Sequence, residues 1–252
     1  MSKIISVHSY RGGTGKSNTT ANLAAQIAAL GYRVGVIDTD IQSPGIHVLF
    51  NLQEKEITVA LNDYLWGKCE IVKAAYDVTS RLGAPVSGRV FLVPSSVKAN
   101  EIARILREGY DVGRLSDGYE DMIRDLRLDV LLIDTHPGLN EETLLSIVIS
   151  TTVVLILRPD QQDYQGTAVT VDVARKLGVQ RLLLLVNKVP QSYDMGEVVA
   201  RVARTYQCEV GAILPHSDEM MALASTGIFS LRYPTSDLSA SLRRMAMRVM
   251  DL

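Results

Sequence analysis

Residues 11–17 contain the side-chain types and spacing that bind a phosphate chain. They read Arg-Gly-Gly-Thr-Gly-Lys-Ser and lie between an apolar run at 4–7 and a helical pattern that begins near residue 19. Their glycines allow positive φ and close backbone approach, so several N–H groups can point at one anion beside the following helix N-terminus. Lys16 adds a point charge for the β- and γ-phosphates, and the Ser17 hydroxyl is a ligand for Mg²⁺. The segment therefore predicts a phosphate-binding loop.

The loop departs from the ordinary P-loop pattern at one position. That pattern requires a glycine five residues before Gly15, where this chain has Tyr10. The variant with a basic residue before Gly-Gly resembles the deviant P-loop of the ParA/MinD family of ATPases, which does not require that glycine. Arg11 stands at the position of that family's signature lysine. The resemblance implies that Arg11 reaches the phosphates of an opposite subunit, with a wider and permanently charged group.

Two carboxylates follow the second apolar run, at 34–37. Asp38-Thr39-Asp40 places both at the same predicted sheet edge as the loop, where an acidic cluster indicates Mg²⁺ and water chemistry. A strand-end turn rich in aspartate is the alternative interpretation. The resemblance implies that Asp38 holds the water shell of the metal and that Asp40 orients the attacking water. A carboxylate with an ordinary pKa is a weak base, which favours positioning over full proton abstraction.

A third aspartate follows the apolar run at 130–133. Asp134-Thr135-His136-Pro137-Gly138 has the form of a Walker B aspartate that leads into a nucleotide-sensing loop, and it resembles the Asp-x-Pro-Pro-Gly switch of the same family. We assign Asp134 to Mg²⁺ through water. His136 replaces the first proline of that switch and is interpreted as an ordinary loop residue rather than a proton-transfer group.

Further nucleotide contacts are expected at later strand ends. Asn187 follows the run at 182–186 and offers an amide suited to a purine edge, which the resemblance makes an adenine contact. Pro215 follows the run at 210–214 and marks a second backbone contact, and Asn18 can bond an α-phosphate. The predicted nucleotide-binding residues are Arg11, Gly12, Gly13, Thr14, Gly15, Lys16, Ser17, Asn18, Asn187 and Pro215. The predicted catalytic residues are Lys16, Asp40 and Arg11, and the predicted metal site contains Ser17, Asp38 and Asp134.

The elements that must position these residues form an α/β pattern. Continuous apolar runs predict buried strands at 4–7, 34–37, 90–93, 130–133, 153–157, 182–186 and 210–214. Helical patterns separate them at 19–30, 58–66, 99–108, 119–126, 141–149, 165–177, 196–206, 218–225 and 236–250. Strands buried on both faces and alternating with helices predict a mostly parallel, twisted sheet with helices on both faces, in a single domain at 1–252. Residues 51–87 are expected to form short surface helices and turns.

Composition limits the environment and the partners. The formal net charge is −2, so any binding to nucleic acid or anionic membrane must be local. Cys69 and Cys208 lack zinc spacing and indicate a reducing cytosol, and they argue against the iron–sulfur relatives of the family. No signal peptide pattern is found at the N-terminus, so a cytoplasmic location is expected.

The resemblance implies a cycle in which the chain binds ATP with Mg²⁺, forms a homodimer and hydrolyses ATP when a partner protein stimulates it. Two alternatives remain: an ATP-dependent metabolic enzyme on the same fold, and a nucleotide-gated binding module with little turnover. A tyrosine kinase of related loop type is disfavoured because no tyrosine cluster follows Tyr233. Nonspecific DNA binding has candidate residues Arg201, Arg204, Arg243, Arg244 and Arg248. Direct membrane anchoring by the last helix is disfavoured, since its apolar stripe fits a packed terminal helix.

Overall fold

One sheet of eight strands organises residues 2–252, the part of the chain that the computed structural model describes. The strands are β1 (Lys3–His8), β2 (Arg33–Asp38), β3 (Tyr76–Asp77), β4 (Arg89–Val93), β5 (Val130–Asp134), β6 (Thr152–Leu157), β7 (Leu182–Val189) and β8 (Glu209–Pro215). Their order is β3-β4-β2-β5-β1-β6-β7-β8, and only β3 pairs antiparallel among these strands. The predicted α/β class and mostly parallel sheet are confirmed.

Helices cover both faces of this sheet. They are α1 (Lys16–Ala29), α2 (Ile46–Leu49), α3 (Leu61–Leu65), α4 (Ala99–Glu108), α5 (Gly113–Asp125), α6 (Glu141–Ile149), α7 (Gln161–Lys176), α8 (Met195–Tyr206), α9 (Asp218–Leu223), α10 (Phe229–Arg232) and α11 (Asp237–Met250). Short 3-10 helices lie at Glu54–Glu56, Ile71–Ala74 and Thr79–Arg81. Helices α1, α10 and α11 pack on one face, whereas α5, α7 and α8 pack on the other.

The central strands are buried on both faces, which explains their continuous apolar sequences. In β5, Val130 and Leu132 join the core under α1, and Leu131 and Ile133 join the core under α5. All four side chains are fully buried. Alternate residues of a strand point to opposite faces, so a strand covered on both sides needs apolar residues at every position.

The last helix packs against the fold as expected. In α11, Leu238, Leu242, Met245 and Val249 are buried in the core that also contains α1. The predicted packed terminal helix is therefore confirmed. Across residues 2–252, no helix combines the length and the apolar character needed to cross a bilayer.

Several element boundaries differ from the sequence-based prediction. Helix α5 begins at Gly113, six residues before the predicted start, because Gly118 allows the ring of Tyr64 to pack directly on the helix backbone. Glycine disfavours a helix in isolation, so tertiary packing decides here. Helix α1 begins at Lys16, directly after the loop, and not at residue 19. The prediction omitted β3, a two-residue strand that pairs with β4 at the edge of the sheet.

The topology brings the predicted site residues to one sheet edge. Strand β1 lies between β5 and β6, and β5 also pairs with β2. The carboxyl ends of β2, β5 and β1 therefore lie side by side. The loop follows β1, Asp38 ends β2 and Asp134 ends β5, with the two aspartates in register. Ligands of open α/β sheets bind at the carboxyl ends of strands where the strand order reverses, and that point is β1 here.

The buried central strands predict a large stability effect at their apolar positions. We expect Leu132→Ala to lower the free energy of unfolding by about 2–5 kcal/mol, because it leaves a cavity between two packed layers. Leu106, 58% exposed on α4, provides the matched control, and Leu106→Ala should change stability by less than about 0.5 kcal/mol. Urea unfolding followed by circular dichroism measures both; similar losses in the two variants would contradict the assigned core.

Candidate phosphate-binding site

The loop between β1 and α1 has a backbone shaped for an anion. Gly13 and Gly15 have φ angles of 75° and 100°, the left-handed region that glycine adopts without strain. Gly15 is the N-cap of α1, and no side chain of the described residues caps it; the first turn also contains no acidic residue. The first N–H groups of a helix need partners, so this terminus is free to bind phosphate oxygens.

Two side chains of the loop add to this anion site. Lys16 is buried with 7% of its surface exposed, although it carries a charge. The hydroxyl of Thr14 is buried without a hydrogen-bond partner among the described residues. A buried ammonium and an orphaned hydroxyl both lose free energy without a ligand. The loop residues therefore fit a phosphate chain.

A cavity of about 550 Å³ adjoins the loop. It is large enough for a small ligand. Its lining includes Gly13, Gly15, Asn18, Asn187 and Pro215 from the predicted nucleotide contacts, together with Met220 and Met221 of α9. The structure thus brings the loop, the end of β7 and the end of β8 around one space, as the strand-end prediction required.

Asp38 and Asp134 are buried side by side at the sheet edge. Asp38 accepts the N–H groups of Asp40 at 3.0 Å and Gly45 at 3.3 Å, and Asp134 accepts the Thr20 hydroxyl at 3.1 Å. Burial, with the neighbouring carboxylates, raises the pKa of Asp38 well above its usual value. Burial raises the pKa of Asp134 to about 6, against opposing contributions from Ser17 and Lys16. Two crowded acids of this kind favour a nearby divalent cation.

Mg²⁺ suits this chemistry because it commonly takes one or two carboxylates and completes its shell with water and phosphate oxygens. The structure places Ser17 at the start of α1, close enough to Asp134 for its hydroxyl to lower that carboxyl's pKa. No group of three or more His, Cys, Asp or Glu side chains within residues 2–252 is arranged to hold a metal alone. The residues present fit a magnesium site that phosphate oxygens complete.

Asp40 faces a histidine that sequence reasoning treated as an ordinary loop residue. Its Oδ1 lies 3.9 Å from Nε2 of His136. Nδ1 of His136 lies 2.6 Å from the Pro137 carbonyl, which can only accept, so Nδ1 carries the hydrogen. Burial raises the pKa of Asp40, while His136 and Lys16 lower it. The separation is too long for a direct hydrogen bond.

His8, the last residue of β1, also lies in the site and was missed. The Thr135 hydroxyl donates to the Val7 carbonyl at 3.1 Å, so it must accept from His8 Nδ1 at 2.7 Å. Nε2 is then unprotonated, and it has no partner among the described residues. Burial, with Lys16 and His136 nearby, lowers the pKa of His8 to about 3. A polar residue that ends an apolar strand just before the loop was the available signal.

Arg11 contacts the N-terminus of α7 within its own chain. Its guanidinium lies 3.9 Å from Asp160 and 3.7 Å from Asp163, and it also bonds the Gln162 side chain. Tyr10 packs beside it, where a Cβ on Gly166 would fall 2.1 Å from the Tyr10 ring. These contacts were not predicted, because α7 lies about 150 residues further along the chain.

Several of the basic residues considered for DNA binding contact other side chains of the fold. Arg248 pairs with Glu209 at 3.0 Å, and Arg243 bonds Gln26 at 3.3 Å. Arg201 lies on α8, stacked 4.7 Å from the Tyr164 ring centroid. Nearby acids and hydrogen-bond acceptors therefore engage several of the charges that a DNA backbone would need.

The fold and the site together define a P-loop ATPase class of α/β protein. A family model described as AAA domain (AAA_31) matches residues 2–188. The chain belongs to this family, and its resemblance to the ParA/MinD ATPases is confirmed.

Individual relatives match from about half to nearly all of the chain. An uncharacterized ATP-binding protein of Methanocaldococcus jannaschii is 26% identical over 251 residues, 99% of this chain and 88% of the relative. An iron-sulfur cluster carrier protein of Clostridium perfringens is 33% identical over 141 residues, 56% of this chain and 46% of the relative.

Two solved structures share the fold and contain nucleotides. The septum site-determining protein MinD of Pyrococcus horikoshii, complexed with Mg-ADP, has a TM-score of 0.80 at 20% identity and covers 99% of this chain and 96% of its own. A putative plasmid partition protein of Borrelia burgdorferi, bound to AMPPNP, has a TM-score of 0.78 at 17% identity and covers 99% of this chain and 98% of its own. At these identities the likeness defines the fold alone.

The loop geometry predicts that two neighbouring glycines differ in tolerance. Gly15→Ala should lower the free energy of unfolding by about 1–2 kcal/mol, since φ is 100° and the new Cβ would lie 2.5 Å from Nδ2 of Asn187. Gly12→Ala is the control, because its nearest neighbour would be Pro137 at 3.9 Å, an ordinary contact. Urea unfolding without nucleotide compares them, and equal losses would contradict the described loop conformation.

The raised pKa of Asp134 predicts that its removal stabilises the nucleotide-free protein. A folded-state pKa of about 6 lies above the usual value for aspartate, so ionisation destabilises the fold as the pH rises from about 4 to 6. Asp134→Asn should therefore raise the free energy of unfolding at pH 7 by about 1–2 kcal/mol.

The same comparison at pH 4 should show almost no difference, because Asp134 is then protonated in the wild type. Asp172→Asn, a change at an exposed position of α7, is the control and should stay within about 0.5 kcal/mol at both pH values. Thermal and urea unfolding measure these effects. A loss of stability in Asp134→Asn at pH 7 would contradict the assigned burial of charge.

Proposed function

We propose that this chain is a Mg-ATP-dependent, dimerising ATPase that acts as a nucleotide switch in positioning, partitioning or regulating a partner. The observation that carries the proposal is the burial of Lys16 at the anion-binding terminus of α1, near Asp40 and Asp134. In this proposal residues 1–252 act as one ATPase domain. A cytoplasmic location is part of it and is supported by two free cysteines, Cys69 and Cys208.

ATP and Mg²⁺ are the proposed ligands of this site. The Mg-ADP and AMPPNP in the two similar structures support this assignment. The backbone of 12–15 and Lys16 would hold the phosphates, and Ser17, Asp38 and Asp134 would hold the metal or its water shell. Bound Mg²⁺ supplies positive charge for the phosphate oxygens. Asn18 and Pro215 line the adjoining cavity and are proposed nucleotide contacts.

Asp40 is the proposed residue that positions the attacking water. Its carboxylate lies close enough to Lys16 for that charge to lower its pKa, which puts it beside the proposed phosphate site. Phosphoryl transfer has a loose transition state, so orientation of the nucleophile contributes more than full proton abstraction. Lys16 holds its charge in a dry environment, where it stabilises developing negative charge more strongly than in water.

Arg11 is the proposed contact between subunits. In the single chain it rests on Asp160, Asp163 and Gln162, and its side chain is 39% exposed. The contact with Asp160 is exposed on both sides and contributes little free energy, and the buried Asp163 keeps its ion pair with Arg158 at 3.1 Å, so Arg11 can exchange these contacts for a partner's phosphates at low cost. Formation of a homodimer would then draw Arg11 away from α7.

A nucleotide-gated module with little turnover is the second candidate. The position of His136 beside Asp40 favours it, because an imidazole 3.9 Å from the carboxylate occupies space that the attacking water would need. A stimulating partner protein belongs to the first candidate, in which the partner would correct this arrangement. Nonspecific DNA binding and direct membrane anchoring have no additional support from the engaged arginines or the packed α11.

The dimer proposal is tested with the Asp40→Ala variant. Because this change removes the water-positioning carboxylate and leaves the loop intact, we expect the variant to bind Mg-ATP and stay dimeric. Light scattering should show twice the monomer mass with Mg-ATP and the monomer mass with Mg-ADP. Steady-state phosphate release should fall at least tenfold relative to the wild type.

Arg11→Ala is the control for the contact between subunits. It should bind Mg-ATP as a monomer, while Arg11→Lys, which restores the family's signature residue, should dimerise. If both the wild type and Asp40→Ala stay monomeric at saturating Mg-ATP, the proposed nucleotide-dependent dimerisation is wrong. Tight ATP binding with negligible turnover of the wild type would instead favour the low-turnover module.

A further inference from the structure

The end of β7 contacts the phosphate-binding loop from the side opposite its N–H groups. Nδ2 of Asn187 donates to the carbonyl of Thr14 at 2.8 Å, and Nζ of Lys188 donates to the carbonyl of Gly13 at 2.8 Å. Two consecutive residues of one strand thus hold two consecutive carbonyls of the loop. Neither role was expected, since the sequence predicted a base contact for Asn187 and none for Lys188.

The backbone of β7 is distorted where these two residues lie. Lys188 has a φ of 56°, and the pairing of β7 with β8 shifts register between Val186 and Val189. A residue with a side chain costs about 1 kcal/mol or more in this left-handed region, and such strain persists where other contacts compensate for it. The Oδ1 of Asn187 accepts the Lys188 N–H at 2.9 Å, which turns Nδ2 toward Thr14.

Peptide geometry connects these contacts to phosphate binding. In a trans peptide the C=O and the following N–H point in opposite directions. Holding the Gly13 carbonyl toward Lys188 therefore directs the Thr14 N–H the other way, and holding the Thr14 carbonyl toward Asn187 does the same for the Gly15 N–H. A rotated peptide plane would turn a carbonyl oxygen toward the phosphates, where it would repel them.

We propose that Asn187 and Lys188 are positioning residues that fix the orientation of the Gly13–Thr14 and Thr14–Gly15 peptide planes and thereby set the affinity of the loop for phosphate. The inference rests on the proposed function, in which the loop binds ATP. Asn187 is 8% exposed and packs on Gly15, so its bond is shielded from water. Lys188 is exposed, yet its ammonium gives a charge-assisted bond to a carbonyl.

The test measures phosphate binding without a base. Mg-tripolyphosphate and Mg-ATP each displace a fluorescent ATP analogue from the wild type and from Lys188→Met, which keeps the apolar stem and removes the donor. We expect both affinities to fall by the same factor, roughly tenfold, because one charge-assisted hydrogen bond is lost. Lys188→Arg keeps a donor and a charge and should restore most of the affinity for both ligands.

Lys73→Met is the matched control, since it removes an exposed lysine that lies outside the lining of the cavity. It should leave both affinities unchanged. Thermal unfolding verifies that each variant is folded, and Lys188→Gln is a second variant should Lys188→Met unfold. Asn187→Leu removes the other donor and should weaken tripolyphosphate and ATP alike.

Three results would overturn the inference. Weaker ATP binding with unchanged tripolyphosphate binding in Lys188→Met and Asn187→Leu would mean that these residues contact the base. Unchanged binding of both ligands would mean that the loop keeps its shape without them. Equal losses with Lys73→Met would mean that general charge is responsible. A wild type that binds neither ligand would instead refute the proposed function, which separates the two failures.

Discussion

Like charges crowded at the carboxyl edge of the sheet are the constraint on which this site depends. Asp38 and Asp134 are neighbours in register on β2 and β5, and both are almost fully buried. Burial and the neighbouring carboxylates raise the pKa of both groups, so their ionisation costs free energy. The apolar layers on both faces of the sheet supply the stability that holds them together. A ligand that brings positive charge to this edge would relieve that cost and so stabilise the folded state.

The loop and the acidic edge are complementary parts of one electrostatic arrangement. The start of α1 presents unpaired N–H groups and favours negative charge, whereas the ends of β2 and β5 favour positive charge a few residues away. A magnesium–phosphate complex carries both. An anion or a cation alone satisfies only half of the arrangement.

Local sequence was sufficient for the main strands of the sheet and for most of the residues that meet at its carboxyl edge, although not for His8. Continuous apolar runs located seven of the strands because burial on both faces demands them, and polar residues directly after those runs identified Asp38 and Asp134. Contacts between segments far apart in the chain could not be predicted from local sequence. No local pattern encodes how the loops fold back on one another. This folding determines the proximity of His136 to Asp40, the hydrogen bond from Lys188 to Gly13 and the contact of Arg11 with α7.

The contact of Tyr10 with Gly166 gives a structural role to the residue at which the loop departs from the ordinary P-loop. The Tyr10 ring occupies the space that any side chain at position 166 would need, so the two positions form a size-matched pair. A glycine at position 10 would leave a gap over α7, and a larger residue at 166 would expel the ring. Related chains should therefore show these positions changing together, with small residues at 10 accompanying larger ones at 166.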